Sequence, residues 1–233
     1  MTTRSFAMYA LAVLVLATTF VPGASAVAPA LPASYPAAGE LVATRVAVRT
    51  GPDRSAKVIR LLQQFRTDYR LQIVLAVGQA NGPDGTAWFK LNLPMRPNGT
   101  VGWIPAASAT LRPTQSHIVV HRGLRRIELF RGSKRLLYAK VAVGAPGRET
   151  PLGEFYVTAR FVPDDPFLGA FALETSAYSR LTEWPGGGVV GIHGTNEPQL
   201  IPGHISHGCI RLHNAAILAL GRLMPVGTPI TIR

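Results

Sequence analysis

The chain has 233 residues, 47% hydrophobic and 15% charged, enough material for one large domain or two small ones and too apolar for a disordered or fibrous protein. Its 24 Lys and Arg against 12 Asp and Glu give a net charge of +12, which suits an anionic membrane, an anionic cell wall or nucleic acid. The basic residues are scattered rather than gathered along one helix, so nucleic acid is set aside.

The N-terminal segment begins with Arg4, runs apolar from Phe6 to Val21, breaks at Pro22-Gly23 and offers small residues at Ala24-Ser25-Ala26. That is the layout of a secretory signal peptide over residues 1–26, cleaved after Ala26. The alternative is an uncleaved anchor, for which the run is short of the about 20 apolar residues that span a bilayer. The chain is therefore expected outside the cytoplasm, in a periplasm or cell wall, and meets the membrane only through this segment before cleavage. Residues 27–38, rich in Ala and Pro, read as a flexible or extended leader.

From residue 39 to 112 short β-type runs alternate with turn signals. Leu41 to Val48, Leu71 to Val77, Trp88 to Leu93 and Val101 to Ile104 read as strands, separated by turns such as Thr50-Gly51-Pro52-Asp53 and Pro97-Asn98-Gly99. Close-spaced short strands imply a small β-barrel. Arg45-Val46-Ala47-Val48-Arg49-Thr50-Gly51-Pro52 resembles the opening motif of bacterial SH3-like domains, and Trp88-Phe89-Lys90 and Gly102-Trp103-Ile104 resemble their closing strands. The resemblance implies a module with a wall or protein ligand. Trp88 and Trp103 then either line a groove or fill the core.

Thr110 to Ser116 reads as a polar linker to a second domain, residues 116–233. Strands are expected at Ile118 to Val120, Arg126 to Arg131, Leu136 to Val143, Gly153 to Ala159, Val189 to Ile192 and Gly227 to Ile232. Residues 163–188 look loop-rich. Asn214 reads as the N-cap of one short helix, Ala215 to Leu223. The fold class is mainly β.

Cys209 is the single cysteine, so an exported chain cannot pair it internally. It is either a small buried hydrophobe or a reactive thiol. Its neighbours point to chemistry. His193-Gly194-Thr195 is followed by Ser206-His207-Gly208-Cys209-Ile210-Arg211. A thiol of pKa about 8.5 needs a nearby imidazole to become a nucleophile at neutral pH. His193 ends a strand, and His207 lies two residues before Cys209, where an extended segment would turn both the same way. Either ring qualifies, and the sulfur beside it is expected to rest ionised or nearly so. The Gly208 and Cys209 amides could form an oxyanion hole. Arg211 suits a substrate carboxylate. Thr195, Ser206 and Asn214 either satisfy backbone groups or touch substrate. His204, His207 and Cys209 could instead ligate zinc, although the loop holds no second Cys.

The two motifs, with Thr150-Pro151-Leu152-Gly153-Glu154-Phe155 before them, resemble the L,D-transpeptidase (YkuD-type) family over residues 116–233. The resemblance implies a β-rich catalytic domain and an acyl-enzyme on Cys209, with no metal and no cofactor. It implies His193 as base, oriented by the Gly194 carbonyl, with His207 and Gly208 shaping the oxyanion hole and Arg211, Thr195 and Ser206 near the donor. Donor and acceptor would be peptidoglycan stem peptides joined in 3→3 cross-links. An L,D-carboxypeptidase using the same thiol and a non-catalytic wall-binding protein are the alternatives. The family often carries an acidic residue after the matching Asn, where Ala215 and Ala216 stand here.

Overall fold

The computed structural model describes residues 31–183 and 185–233. The expected signal segment and the start of the leader lie outside the described residues.

The first seven strands are β1 (Ala37–Leu41), β2 (Arg45–Arg49), β3 (Val58–Gln63), β4 (Ile73–Asn81), β5 (Ala87–Asn92), β6 (Val101–Pro105) and β7 (Ala109–Pro113). They form one antiparallel sheet in the order β3-β2-β6-β5-β4-β1-β7. Alternation directs Val46, Val48, Leu62, Val74, Phe89, Leu91, Ile104 and Leu111 into one core. Two expectations need correction. The leader gives way to β1 at Ala37, which is fully buried and lies in a strand bonded on both sides, to β4 and β7. Ladder bonds on two sides outweigh an Ala- and Pro-rich composition. The linker also shrinks to Thr114 and Gln115, because Thr110 to Pro113 belong to β7 and Ser116 opens the next strand. Trp88 is core, while Trp103 is half-buried beneath Lys90.

The second sheet contains β8 (Ser116–His121), β9 (Arg126–Arg131), β10 (Lys134–Lys140), β11 (Ala142–Gly144), β12 (Gly153–Phe161), β13 (Ala172–Tyr178), β14 (Val189–His193), β15 (Gly203–Ser206), β16 (Ile210–Arg211) and β17 (Pro229–Ile232). The order is β10-β9-β8-β17-β12-β13-β14-β16-β11-β15, with β8–β17, β14–β16 and β11–β15 parallel. Its core includes Ile118, Ile127, Leu129, Phe155, Val157, Leu173 and Ile192. Helix α1 (Asn214–Leu223) lays Ile217 and Leu220 on that core. The span expected to be loop-rich contains β13, whose sequence ALETSAY has only two β-favouring residues, Thr175 and Tyr178. Pairing with β12 and β14 on either side makes it a central strand.

The two sheets are bolted together. Ile73 and Leu75 of β4 form a small buried cluster with Tyr156 of β12, whose hydroxyl donates to the Ile73 carbonyl at 3.3 Å. Asn98 bonds the Tyr178 backbone twice, at 2.8 and 3.0 Å. Arg66 forks onto Glu174 at 2.8 and 2.9 Å, and one nitrogen of Arg96 reaches the carbonyls of Ser179, Leu181 and Gly187. Paired donors of this kind fix orientation as well as distance.

Candidate active site

Strand register brings the lone thiol to an imidazole. Strands β14 and β16 run parallel with Ile192 opposite Ile210 and His193 opposite Arg211. One step back, Cys209 lies beside Gly191, whose amide donates to Sγ at 3.3 Å. Residues 191 and 193 share a face of β14, because side chains alternate. A Cβ built on Gly191 would lie 3.6 Å from His193 Cδ2 and 3.8 Å from Cys209 Sγ. Glycine at 191 therefore leaves no side chain between ring and sulfur. Both groups line one cleft of about 830 Å³, a volume typical of ligand sites.

The imidazole is held from behind. His193 Nδ1 donates to its neighbour's carbonyl, Gly194 O, at 2.7 Å, which leaves the Nε2 lone pair as acceptor. Asn214 Oδ1 accepts from the amides of Thr195 at 3.0 Å and Ala170 at 3.1 Å. A Cβ on Gly194 would come within 2.1 Å of that oxygen, and one on Gly169 within 2.3 Å. Two glycines and one amide side chain thus set the path of the chain just after the ring. Asn214 was expected as an N-cap. His213 takes that position, and Asn214 is the first helical residue, its side chain spent on the His193 loop.

The thiol loop is braced from within. Ser206 Oγ donates to the Cys209 carbonyl at 2.5 Å and accepts from the Gly208 amide at 3.1 Å. Thr150 Oγ1 donates to the Gly208 carbonyl at 2.9 Å and accepts from the Gly144 amide at 2.9 Å. Gly208 has φ +120, and a Cβ there would meet Ser179 at 2.8 Å. This turn corrects the expectation that His207 shares a face with Cys209: the segment is not extended between them. His207 Nε2 instead meets the Arg148 guanidinium, and His204 Nε2 meets Arg125 at 3.1 Å. The three groups weighed as zinc ligands are each engaged elsewhere.

Three further residues expected near the donor are buried and have partners within the chain. Thr195 is 1% exposed, and its hydroxyl accepts from the Glu197 amide. Ser206 is likewise 1% exposed, and both hydroxyls brace backbone. Arg211, 6% exposed, stacks on the Phe167 ring at 4.2 Å and finds its carboxylate within the chain, in Glu197 at 3.1 Å. Of the two amides expected to form an oxyanion hole, that of Gly208 donates to Ser206 Oγ.

Electrostatics also revise the resting state. Burial pushes the Cys209 thiol up, against the opposing pull of the Gly191 amide and Arg211. Burial takes His193 down to about 4, with Arg211 adding to it and the Gly194 carbonyl opposing. Both shifts favour a neutral thiol and a neutral imidazole over the ion pair anticipated from sequence. Phe167, tilted against the His193 ring at 6.3 Å, helps exclude water. Sequence reasoning missed Phe167, Thr150 and Glu197 as site residues. The available signals were Asp165-Pro166, a turn with a cap, and the Thr in the Thr-Pro-x-Gly-x-Phe element.

Thr150 is fully buried, which gives a direct test. Thr150→Val keeps the shape and strands one donor and one acceptor. At about 1–3 kcal/mol for each buried group left unpaired, stability should fall by roughly 2–6 kcal/mol. Urea unfolding would show a lower midpoint at unchanged slope. A midpoint equal to the parent's would mean that the hydroxyl does not brace the thiol loop.

A family model described as the L,D-transpeptidase catalytic domain, YkuD, matches residues 115–232. The chain is 37% identical over 117 residues to the L,D-transpeptidase YkuD of Bacillus subtilis, covering 50% of this chain and 65% of that protein. It is 35% identical over 116 residues to the protein of the same name in Bacillus licheniformis, covering 49% and 64%. The chain thus spans just under two thirds of these curated relatives. Among solved structures, an L,D-transpeptidase from Mycobacterium tuberculosis aligns with TM-score 0.46 and 12% identity, over 70% of this chain and 90% of that one.

Proposed function

Because the chain belongs to the YkuD family of L,D-transpeptidase catalytic domains, we propose that it is an exported peptidoglycan L,D-transpeptidase that forms 3→3 cross-links through an acyl-enzyme on Cys209. One observation carries the reading: register and an empty Gly191 put thiol and imidazole together in one cleft.

Cys209 Sγ attacks the carbonyl between the third and fourth residues of a donor stem. As the S–C bond forms, the thiol proton passes to His193 Nε2, which a buried, neutral ring can accept. The Cys209 amide donates to the tetrahedral oxyanion. Collapse breaks the C–N bond, and His193 returns the proton to the departing D-amino acid. The amine of an acceptor stem then attacks the thioester. Its proton goes to His193 and on to the sulfur, regenerating the thiol. Neither ATP nor another cofactor enters this balance. Arg211 sits beneath Phe167 and sets the field at both reacting groups rather than gripping the donor. A net charge of +12 favours residence on an anionic wall.

Incubation with purified muropeptides, read by mass spectrometry with and without an acceptor amine, tests the assignment. A cross-linked dimer appears if the enzyme is a transferase. Release of the fourth residue alone, with acceptor present in excess, would make it an L,D-carboxypeptidase.

A further inference from the structure

The cleft that holds Cys209 and His193 is not built by the catalytic sheet alone. Its lining includes Arg60 and Leu61 of β3, Phe65 just after β3, and Pro94 after β5. Leu61 is 46% exposed and Phe65 54% exposed, an apolar pair left open in the same cleft as the reacting groups. The charged groups of the lining differ in how they are engaged. Arg66 is committed to Glu174 and Asp68. Glu174 also accepts from Thr158. Asp165 caps the turn at Phe167. Arg60 donates to the Pro94 carbonyl at 3.0 Å, and among the described residues it forms no ion pair. Its guanidinium keeps further donors and an uncompensated charge, in a fork geometry that matches a carboxylate.

We propose that Arg60, with Leu61 and Phe65, forms a substrate subsite: the guanidinium takes a carboxylate of the bound stem peptide, and the apolar pair covers its aliphatic part. This rests on the transpeptidase reading above. It makes the first sheet one wall of the reaction site rather than a tethered targeting module. The Arg66–Glu174 fork and the Asn98–Tyr178 pair keep that wall in place relative to Cys209.

The test measures acylation of Cys209 by two tetrapeptide donors, one with free carboxylates and one with the carboxylates remote from the scissile bond amidated. Arg60→Gln should raise KM for the first donor about tenfold or more, with kcat held within about twofold, since the contact is made equally in ground and transition states. The amidated donor should show no such penalty from the substitution, and Arg60→Lys should restore most of the affinity for the free donor. Leu61→Glu, at an exposed position that does not touch the Pro94 bond, should raise KM for the free donor by charge repulsion. Equal iodoacetamide alkylation rates of Cys209 in all variants would show that the site is folded. If the variants match the parent in KM for both donors, the subsite is wrong and the transpeptidase reading stands. If the parent takes an acyl group from no stem peptide, that reading falls and the subsite with it.

Discussion

Cys209→Ala should leave a folded protein that acquires no acyl mass from a tetrapeptide donor, a loss of about 10⁵-fold or more in the rate of the first step. The substitution is clean because the sulfur has few structural duties. It accepts one bond, from the Gly191 amide, and the turn around it is held by Ser206 and Thr150 instead. Losing that single bond costs about 1 kcal/mol, too little to unfold the domain. Intact mass after incubation reads the outcome. An Ala variant that still gains the acyl group would mean that another residue is the nucleophile, and Cys209 would return to being a small apolar filler.

How much of this arrangement the sequence disclosed depends on the kind of signal. Strands with clean alternation were legible: β9 matches its expected bounds, and β5, β6 and β14 lie within a residue of theirs. Strand β13 was not, because ALETSAY carries small and polar residues that become strand-like only between β12 and β14. The boundary at Ala37 failed for the same reason: ladder bonds are non-local and leave no mark on composition. In the site, the identities of the thiol and the ring were visible as motifs. Their company was not. Glu197 is 14 residues from Arg211, and Thr150 is 58 residues from Gly208. Sequence spacing cannot report that Arg211 has an internal partner. The protonation state failed for a related reason. An imidazole near a thiol suggests an ion pair, but the burial that raises one pKa and lowers the other comes from tertiary packing that sequence spacing does not report.

That protonation state leads to the second large effect. His193→Gln should slow acylation by about 10²–10⁴-fold, the usual worth of a positioned general base. Gln can still donate to the Gly194 carbonyl but cannot accept the proton. The pH profile separates this role from mere packing. A ring titrating near 4 stays competent as a base through the mildly acidic range, so the acid limb of kcat/KM for the parent should fall near 4 rather than near 6.5. The Gln variant should lack that limb. Direct alkylation by iodoacetamide, which has no general base to help it, should rise only as pH climbs past the raised thiol pKa. Folding sets the lower bound of the experiment. The unfolded ring binds its proton at about 6.5 and the folded ring only near 4, so the unfolded state holds more protons between these values and acid in that window destabilises the fold. Circular dichroism at each pH restricts the kinetics to folded protein. Alkylation already at its plateau at neutral pH would show a resting thiolate–imidazolium pair and would overturn the neutral-pair mechanism while leaving Cys209 as nucleophile, whereas an acid limb near 6.5 would mean that the base is not the buried His193 ring.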